Sequence, residues 1–228
     1  MPGHLFNTEK YSDFVLITFC AGCYLWAIVY IIVLRDVIKK KNADVPIMAV
    51  AGNFAWEFYW GLGIFMKTDM GSVLQWAYFI WFFLDCFIVY STFKYGWKQD
   101  VVPSEKKDHI FVTALCILLW GAILYFFIPQ YDDHIGAYTG WIVNVNMSMA
   151  FVLQKVKQPE FGTNRWVAVL KFLGTGLCTT VVFINLYQNT TLVALCFIFA
   201  VLDIIYIYMV FTGPKYMAAV KAVPSQQA

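Results

Sequence analysis

Three carboxylic acids stand inside stretches that are otherwise apolar: Glu57 in Gly52-Asn53-Phe54-Ala55-Trp56-Glu57-Phe58-Tyr59-Trp60-Gly61, Asp85 in Phe83-Leu84-Asp85-Cys86-Phe87, and Asp203 in Val201-Leu202-Asp203-Ile204-Ile205. Such acids are costly in a low-dielectric setting. At the centre of a bilayer each costs roughly 2.5–3.5 kcal/mol on insertion scales. Every Lys and Arg, in contrast, is read as falling in a loop or near the end of an apolar stretch, so no cation is expected beside the acids. Without one, desolvation favours the neutral acid, and two carboxyls in one site would share a proton. The expected chemistry is proton donation in a dry cavity.

The neighbours fit that chemistry. Asn53 and Glu57 are four residues apart and therefore share one face of a helix, with Trp56 and Trp60 flanking it. Tyr206 lies about one turn beyond Asp203, and a fifth apolar stretch carries Asn144, Asn146 and Ser148 near Trp141, a polar face that should look inward. Aromatic residues make up 19% of the chain. Most suit ordinary packing or the interfacial belts at headgroup level. Trp56, Trp60, Tyr206 and Trp141 lie beside mid-membrane polar groups instead, where ring faces can stabilise a cation without attacking it and dry walls can keep water from quenching it. Asn144 and Asn53 are read as substrate-facing polar groups.

The elements that must hold these residues are membrane helices. The chain of 228 residues is 61% hydrophobic and 13% charged, about half the charged share of a soluble domain (roughly 25%), and its mean hydropathy is +0.65. A span needs about 20 mostly apolar residues. Seven stretches qualify, approximately 12–34, 46–66, 72–93, 109–128, 136–154, 166–187 and 191–211. They predict an all-α, seven-transmembrane-helix bundle forming one transmembrane domain over 1–228. Pro46, Pro129 and Pro214 fall at span boundaries, where a missing N–H does least harm. Gly174 and Gly176, with Thr179 and Thr180, predict close helix packing. Counted at about 1.5 Å per residue from the cytoplasmic ends, all three acids lie roughly 12–16 Å deep.

Orientation follows from basic residues. Arg35, Lys39, Lys40, Lys41, Lys94, Lys98, Lys106, Lys107, Lys155, Lys157, Arg165, Lys215 and Lys221 fall on one side, against Lys10 and Lys67 on the other. The N-terminus is expected in the lumen or outside, and the C-terminus in the cytoplasm. The first stretch reads as a retained span rather than a cleaved leader. The six cysteines all lie in apolar stretches and read as packing residues. Asp132 and Asp133 read as solvated loop charge. No Asp-rich diphosphate-binding motif and no basic nucleic-acid footprint stands in the chain, and neither a metal nor another cofactor is expected.

Asn53-Phe54-Ala55-Trp56-Glu57 resembles the N-x-x-W-E signature of the small seven-helix terpene cyclases of fungal meroterpenoid and indole-diterpene pathways, such as those to pyripyropene and paxilline. Leu202-Asp203-Ile204-Ile205-Tyr206 is similar to that family's second acidic site. The resemblance implies that Glu57 and Asp203 protonate a terminal epoxide or alkene on a prenyl chain and start a cation cyclisation. It also implies an amphipathic prenylated substrate, supplied by an upstream prenyltransferase and epoxidase. Asp85 receives a supporting role from its depth alone. The location would be the endoplasmic reticulum in a fungus, or the inner membrane in a bacterium.

The main rival is a proton-coupled small-molecule transporter, for which mid-membrane acids would be the relay. A parallel repeat between the first and last three helices, with prolines inside the spans, would mark a seven-helix carrier; neither is found. A light-driven pump would need a lysine in the seventh helix for its Schiff base, and residues 191–211 contain none.

Overall fold

The computed structural model describes residues 5–65, 70–99, 105–162 and 164–213. Met66, Lys67, Pro214, Lys215 and Lys221, used above to bound spans or orient the chain, lie outside the described residues. Among the described residues the regular structure is all helical. The helices are α1 (Asp13–Lys40), α2 (Ile47–Gly61), α3 (Ser72–Tyr95), α4 (Lys106–Tyr131), α5 (Ala137–Lys157), α6 (Arg165–Leu186) and α7 (Thr190–Thr212). Each coincides with one predicted stretch.

Boundaries are set by local chemistry. Side-chain oxygens of Ser12, Asn164 and Asn189 accept from first-turn N–H groups of α1, α6 and α7, as N-caps do. Pro46 precedes α2, and Pro129 sits in the last turn of α4 without stopping it before Tyr131. Gly136, at φ 75°, opens α5 in the left-handed region. The second helix ends at Gly61, earlier than its hydrophobicity predicted. A Cβ on Gly61 would lie 2.7 Å from the Tyr78 carbonyl oxygen. The helix can therefore press its end onto the backbone of α3 only as glycine, and the chain then turns away through Gly63 at φ 72°.

Among the described residues five helices, α1, α3 with its following turn, α4, α6 and α7, are long and apolar enough to cross a membrane. At 15 residues, α2 is about 22 Å long against a hydrocarbon core of about 30 Å. It is also the enclosed element, packed against α3, α4 and α5, with nine of its residues buried, Trp60 completely. A helix sheathed by others can carry Asn53 and Glu57 without meeting lipid. The outer surface is the reverse. Ile17, Leu118, Phe126 and Phe197 are each at least 66% exposed, which suits hydrocarbon and would be an aggregation liability in water.

The sixth helix is not uniform. Phe172–Thr179 winds as a π-helix between two α-helical turns. Such wider turns are rare and concentrate at functional sites. Here the wide turn lies against α1: a Cβ on Gly22 would stand 3.1 Å from the Gly174 carbonyl oxygen, and one on Gly174 3.3 Å from that of Gly22. The expected packing role of Gly174 thus takes the form of a backbone-to-backbone approach.

Candidate active site

The three acids are all buried, Glu57 to 3%, Asp85 to 4% and Asp203 to 1% exposure, but they form two separate groups. In the first, Asp85 is held by α1 and α2. Tyr30 donates its hydroxyl to Asp85 Oδ1 at 2.8 Å, Asn53 Nδ2 donates to Asp85 Oδ2 at 2.7 Å, and Asn53 also donates to the Tyr30 oxygen at 3.1 Å. Glu57 lies one turn further along α2, and among the described residues its Oε2 has no hydrogen-bond partner. Asn53 therefore serves Asp85 rather than the substrate alone. Asp85, assigned only a supporting role from sequence, is tied to the helix of Glu57 through Asn53.

A cavity of about 80 Å³ opens beside Glu57. Its wall is aromatic, with Trp26, Trp56, Tyr78 and Trp81, and its polar groups include Asn53, Asn144 and Thr175. Trp56 thus stands where expected. Asn144 donates back to its own helix at Gly140 O, 2.8 Å away, while its Oδ1 has no partner among the described residues. Trp60, Trp141 and Tyr206 do not line this cavity. Trp60 lies behind Trp56, ring centroids 6.0 Å apart. Trp141 packs on Phe183 and Phe199. Tyr206 stacks near Phe151 and donates to Gly162 O at 2.9 Å. Helical spacing had put Tyr206 beside Asp203, but its length carries the hydroxyl to the α5–α6 connection. Sequence reasoning missed Tyr30, Trp26, Tyr78 and Trp81, because an aromatic residue in an apolar span reads as packing.

The second group corrects an expectation. A cation does lie inside the bundle. Lys171, in α6, is 2% exposed. Its Nζ donates to Asp203 Oδ1 at 2.5 Å and to Ser148 Oγ at 2.6 Å, and it stands 4.3 Å from the centre of the Phe199 ring. Two hydrogen bonds and a ring face thus surround the ammonium. Asp203 is an ion-paired carboxyl rather than a lone acid, although among the described residues its Oδ2 has no partner. The sequence signal was present: Lys171 lies between Leu170 and Phe172, a full turn inside the predicted span. A smaller void of about 50 Å³ lies between the groups and is lined by both Asp85 and Lys171, along with Asn53 and Tyr30.

Asp132 and Asp133 are also corrected, from solvated charge to structural acceptors. Asp132 Oδ1 accepts from the backbone N–H of Asp133 and Tyr138, each at 3.0 Å, and Oδ2 from Thr139 N at 3.2 Å and from the Thr139 hydroxyl. Asp133 Oδ1 accepts from Ile135 N and Ala137 N at 3.1 and 2.8 Å. Together they satisfy the free N–H groups that open α5. Burial pushes the Asp132 carboxyl up to about 6, against the pull of the hydrogen bonds it accepts.

An apolar-skinned helical bundle with buried acids against an aromatic wall defines a membrane-embedded protein with an interior acid site. The model of the Pyr4-like transmembrane terpene cyclases matches residues 5–213, and the chain belongs to that family. It is 26% identical over 155 residues to the Pyr4-family terpene cyclase mfmH of Annulohypoxylon moriforme, covering 64% of this chain and 60% of the relative. It is 33% identical over 108 residues to the terpene cyclase ascF of Acremonium egyptiacum, covering 43% and 37%. To the terpene cyclase macJ of Penicillium terrestre it is 24% identical over 157 residues, covering 66% and 59%. The chain thus spans 60% or less of the length of these curated relatives. No solved structure matches it.

Proposed function

We propose that this protein is a membrane-bound terpene cyclase. It protonates the epoxidised prenyl chain of a meroterpenoid or indole-terpenoid and closes it through carbocations, as an isomerase or lyase that uses acid alone. The observation that carries the reading is Glu57: a buried carboxyl with an unpartnered oxygen, facing a cavity walled by tryptophan and tyrosine. Its neighbour Asp85 already receives a hydrogen bond at each oxygen.

In this mechanism Glu57 gives its proton to the epoxide oxygen, the C–O bond opens, and the resulting cation is attacked by the next alkene. Trp26, Trp56 and Tyr78 offer ring faces to the cation. Asp85, held as the carboxylate by the Tyr30 hydroxyl and the Asn53 amide, keeps the proton on Glu57 until the epoxide takes it. Asp203, with Oδ2 unpartnered beside the Lys171 ion pair, is the second catalytic carboxyl and removes the C–H proton that ends the cascade. The proton that Asp203 takes returns to Glu57 before the next turnover; proton given and proton taken balance, so the product is an isomer of the substrate. The cavity is far smaller than the roughly 300–1,000 Å³ of small-molecule sites, so binding requires the helices to part. The chain acts as one transmembrane domain, N-terminus in the lumen and C-terminus in the cytoplasm of a fungal endoplasmic reticulum, downstream of a prenyltransferase and an epoxidase.

The experiment is product analysis from membranes containing the protein and an epoxidised prenyl substrate. A cyclised isomer is expected from the wild type. Glu57→Gln and Asp85→Asn should each remove nearly all of it, and near-normal turnover by Glu57→Gln would sink the assignment. Proton-dependent uptake into vesicles with no chemistry would instead favour a transporter.

A further inference from the structure

Trp56 is tied at its polar edge. Its indole Nε1–H donates to the Thr139 hydroxyl at 2.9 Å, and that hydroxyl donates in turn to Asp132 Oδ2. Thr139 is 1% exposed, so no water competes for either bond. The same turn of α5 fits the ring by shape: a Cβ on Gly140 would lie 3.3 Å from the indole, and one on Gly136 2.6 Å from the ring of Trp60 behind it. On the other side Tyr78 meets Trp56 edge-on, at 5.0 Å and 68°. The indole is therefore held at its N–H by a hydrogen-bonded chain and at its carbon edge by glycine backbone, while it lines the cavity that holds Glu57.

We propose that Thr139, itself anchored by Asp132, is a positioning residue that fixes the plane of Trp56 and so determines how far the cation cascade runs before it is quenched. This rests on the cyclase reading above. A cation–π contact needs the ring face toward the charge; an indole free to turn about Cβ–Cγ offers its edge for part of the time. The cation then has two fates. It closes the next ring and loses a C–H proton to a carboxylate, giving an isomer of the substrate. Alternatively it is captured early by water, which forms a C–O bond and loses a proton, giving an alcohol one water heavier than the substrate. Holding the ring favours the first.

The test is the ratio of fully cyclised isomer to water-captured product, measured by mass spectrometry on membranes given the epoxidised prenyl substrate. Thr139→Val keeps the shape and removes the acceptor. It should shift the ratio toward water capture by about 2- to 10-fold, the span of one net hydrogen bond, while Thr139→Ser should retain the wild-type ratio. A purely structural role would lower both products together. Trp56→Phe, which keeps a ring without the N–H, should shift the ratio similarly, and adding Thr139→Val to it should change little further. An unchanged ratio in Thr139→Val, a Thr139→Ser shift as large as that of valine, or full additivity in the double variant would overturn the proposal. Absence of any cyclised product from the wild type would instead overturn the cyclase reading.

Discussion

Replacing Lys171 by methionine removes the ammonium while roughly keeping the length of the side chain. In the native protein that ammonium is 2.5 Å from Asp203 Oδ1, and both side chains are 2% exposed. Methionine would leave Asp203 as a buried carboxylate with no counter-charge and Ser148 without its donor. Breaking a buried pair from one side costs about 3–5 kcal/mol, whereas exchanging both partners for neutral groups is often close to neutral. For a chain of this size that single loss corresponds to a fall in unfolding midpoint on the order of 10 °C. Lys171→Met should therefore be strongly destabilised, and Lys171→Met with Asp203→Asn should regain most of the loss while remaining inactive. Asp203→Asn alone should also lose stability, because it strands the ammonium. The assay is thermal unfolding of detergent-solubilised protein followed by tryptophan fluorescence, paired with the amount accumulated in membranes. A wild-type midpoint in Lys171→Met, or a double variant no better than the single, would refute the pairing as a determinant of stability.

Three further outcomes follow from the geometry. Tyr30→Phe removes a hydroxyl that donates to Asp85. Such bonds to charged groups are worth about 1.5–3 kcal/mol, so turnover should fall by about 10- to 150-fold; equal turnover in a single-turnover assay would argue that Asp85 plays no part. Gly61→Ala would drive a methyl group to 2.7 Å from the Tyr78 carbonyl oxygen, with an overpacking cost of roughly 1–3 kcal/mol, and an unfolding midpoint unchanged from wild type would contradict the α2–α3 contact. Asp132 sets a pH dependence. Burial raises it from 3.8 to about 6 in the folded protein, so the protonated form is favoured by folding, and its contribution to stability is present below the unfolded value and lost as pH rises through about 6. The unfolding midpoint should fall between about pH 4 and about pH 6 and level off above it, and Asp132→Asn should flatten that part of the profile; an identical profile in the variant would assign the dependence to other groups.

Seven helices were legible because apolar length is a local property: each had to satisfy its own backbone, and five of them are long and apolar enough to cross a membrane. Ends were legible to within a few residues where a cap or proline marked them, as at Ser12 and Pro46. The end of α2 was not, because Gly61 stops there to fit against α3, a contact between elements. The buried acids were legible for the same reason as the helices, since a carboxyl within an apolar run has no water to turn to.

Pairing was another matter. Sequence joined Glu57 with Asp203 and left Asp85 aside, whereas in the fold Asn53, one turn from Glu57, holds Asp85, and Asp203 is paired with Lys171. Depth along a helix can be counted from the sequence, but rotation about the axis and the choice of neighbour depend on packing between helices. Tyr30 and Thr139 came into the site by the same route, each an unremarkable residue in its own span that finds a hydrogen-bond partner across a helix interface; Ser148, on the polar face read as inward, meets Lys171 there. The sequence by itself determined that this chain belongs in a membrane and carries three acids there. Only the tertiary structure decided that Glu57 faces an aromatic wall, that Tyr30 and Asn53 hold Asp85, and that Asp203 is held by a buried cation, because charges in a low-dielectric interior are governed by the groups that lie next to them in space.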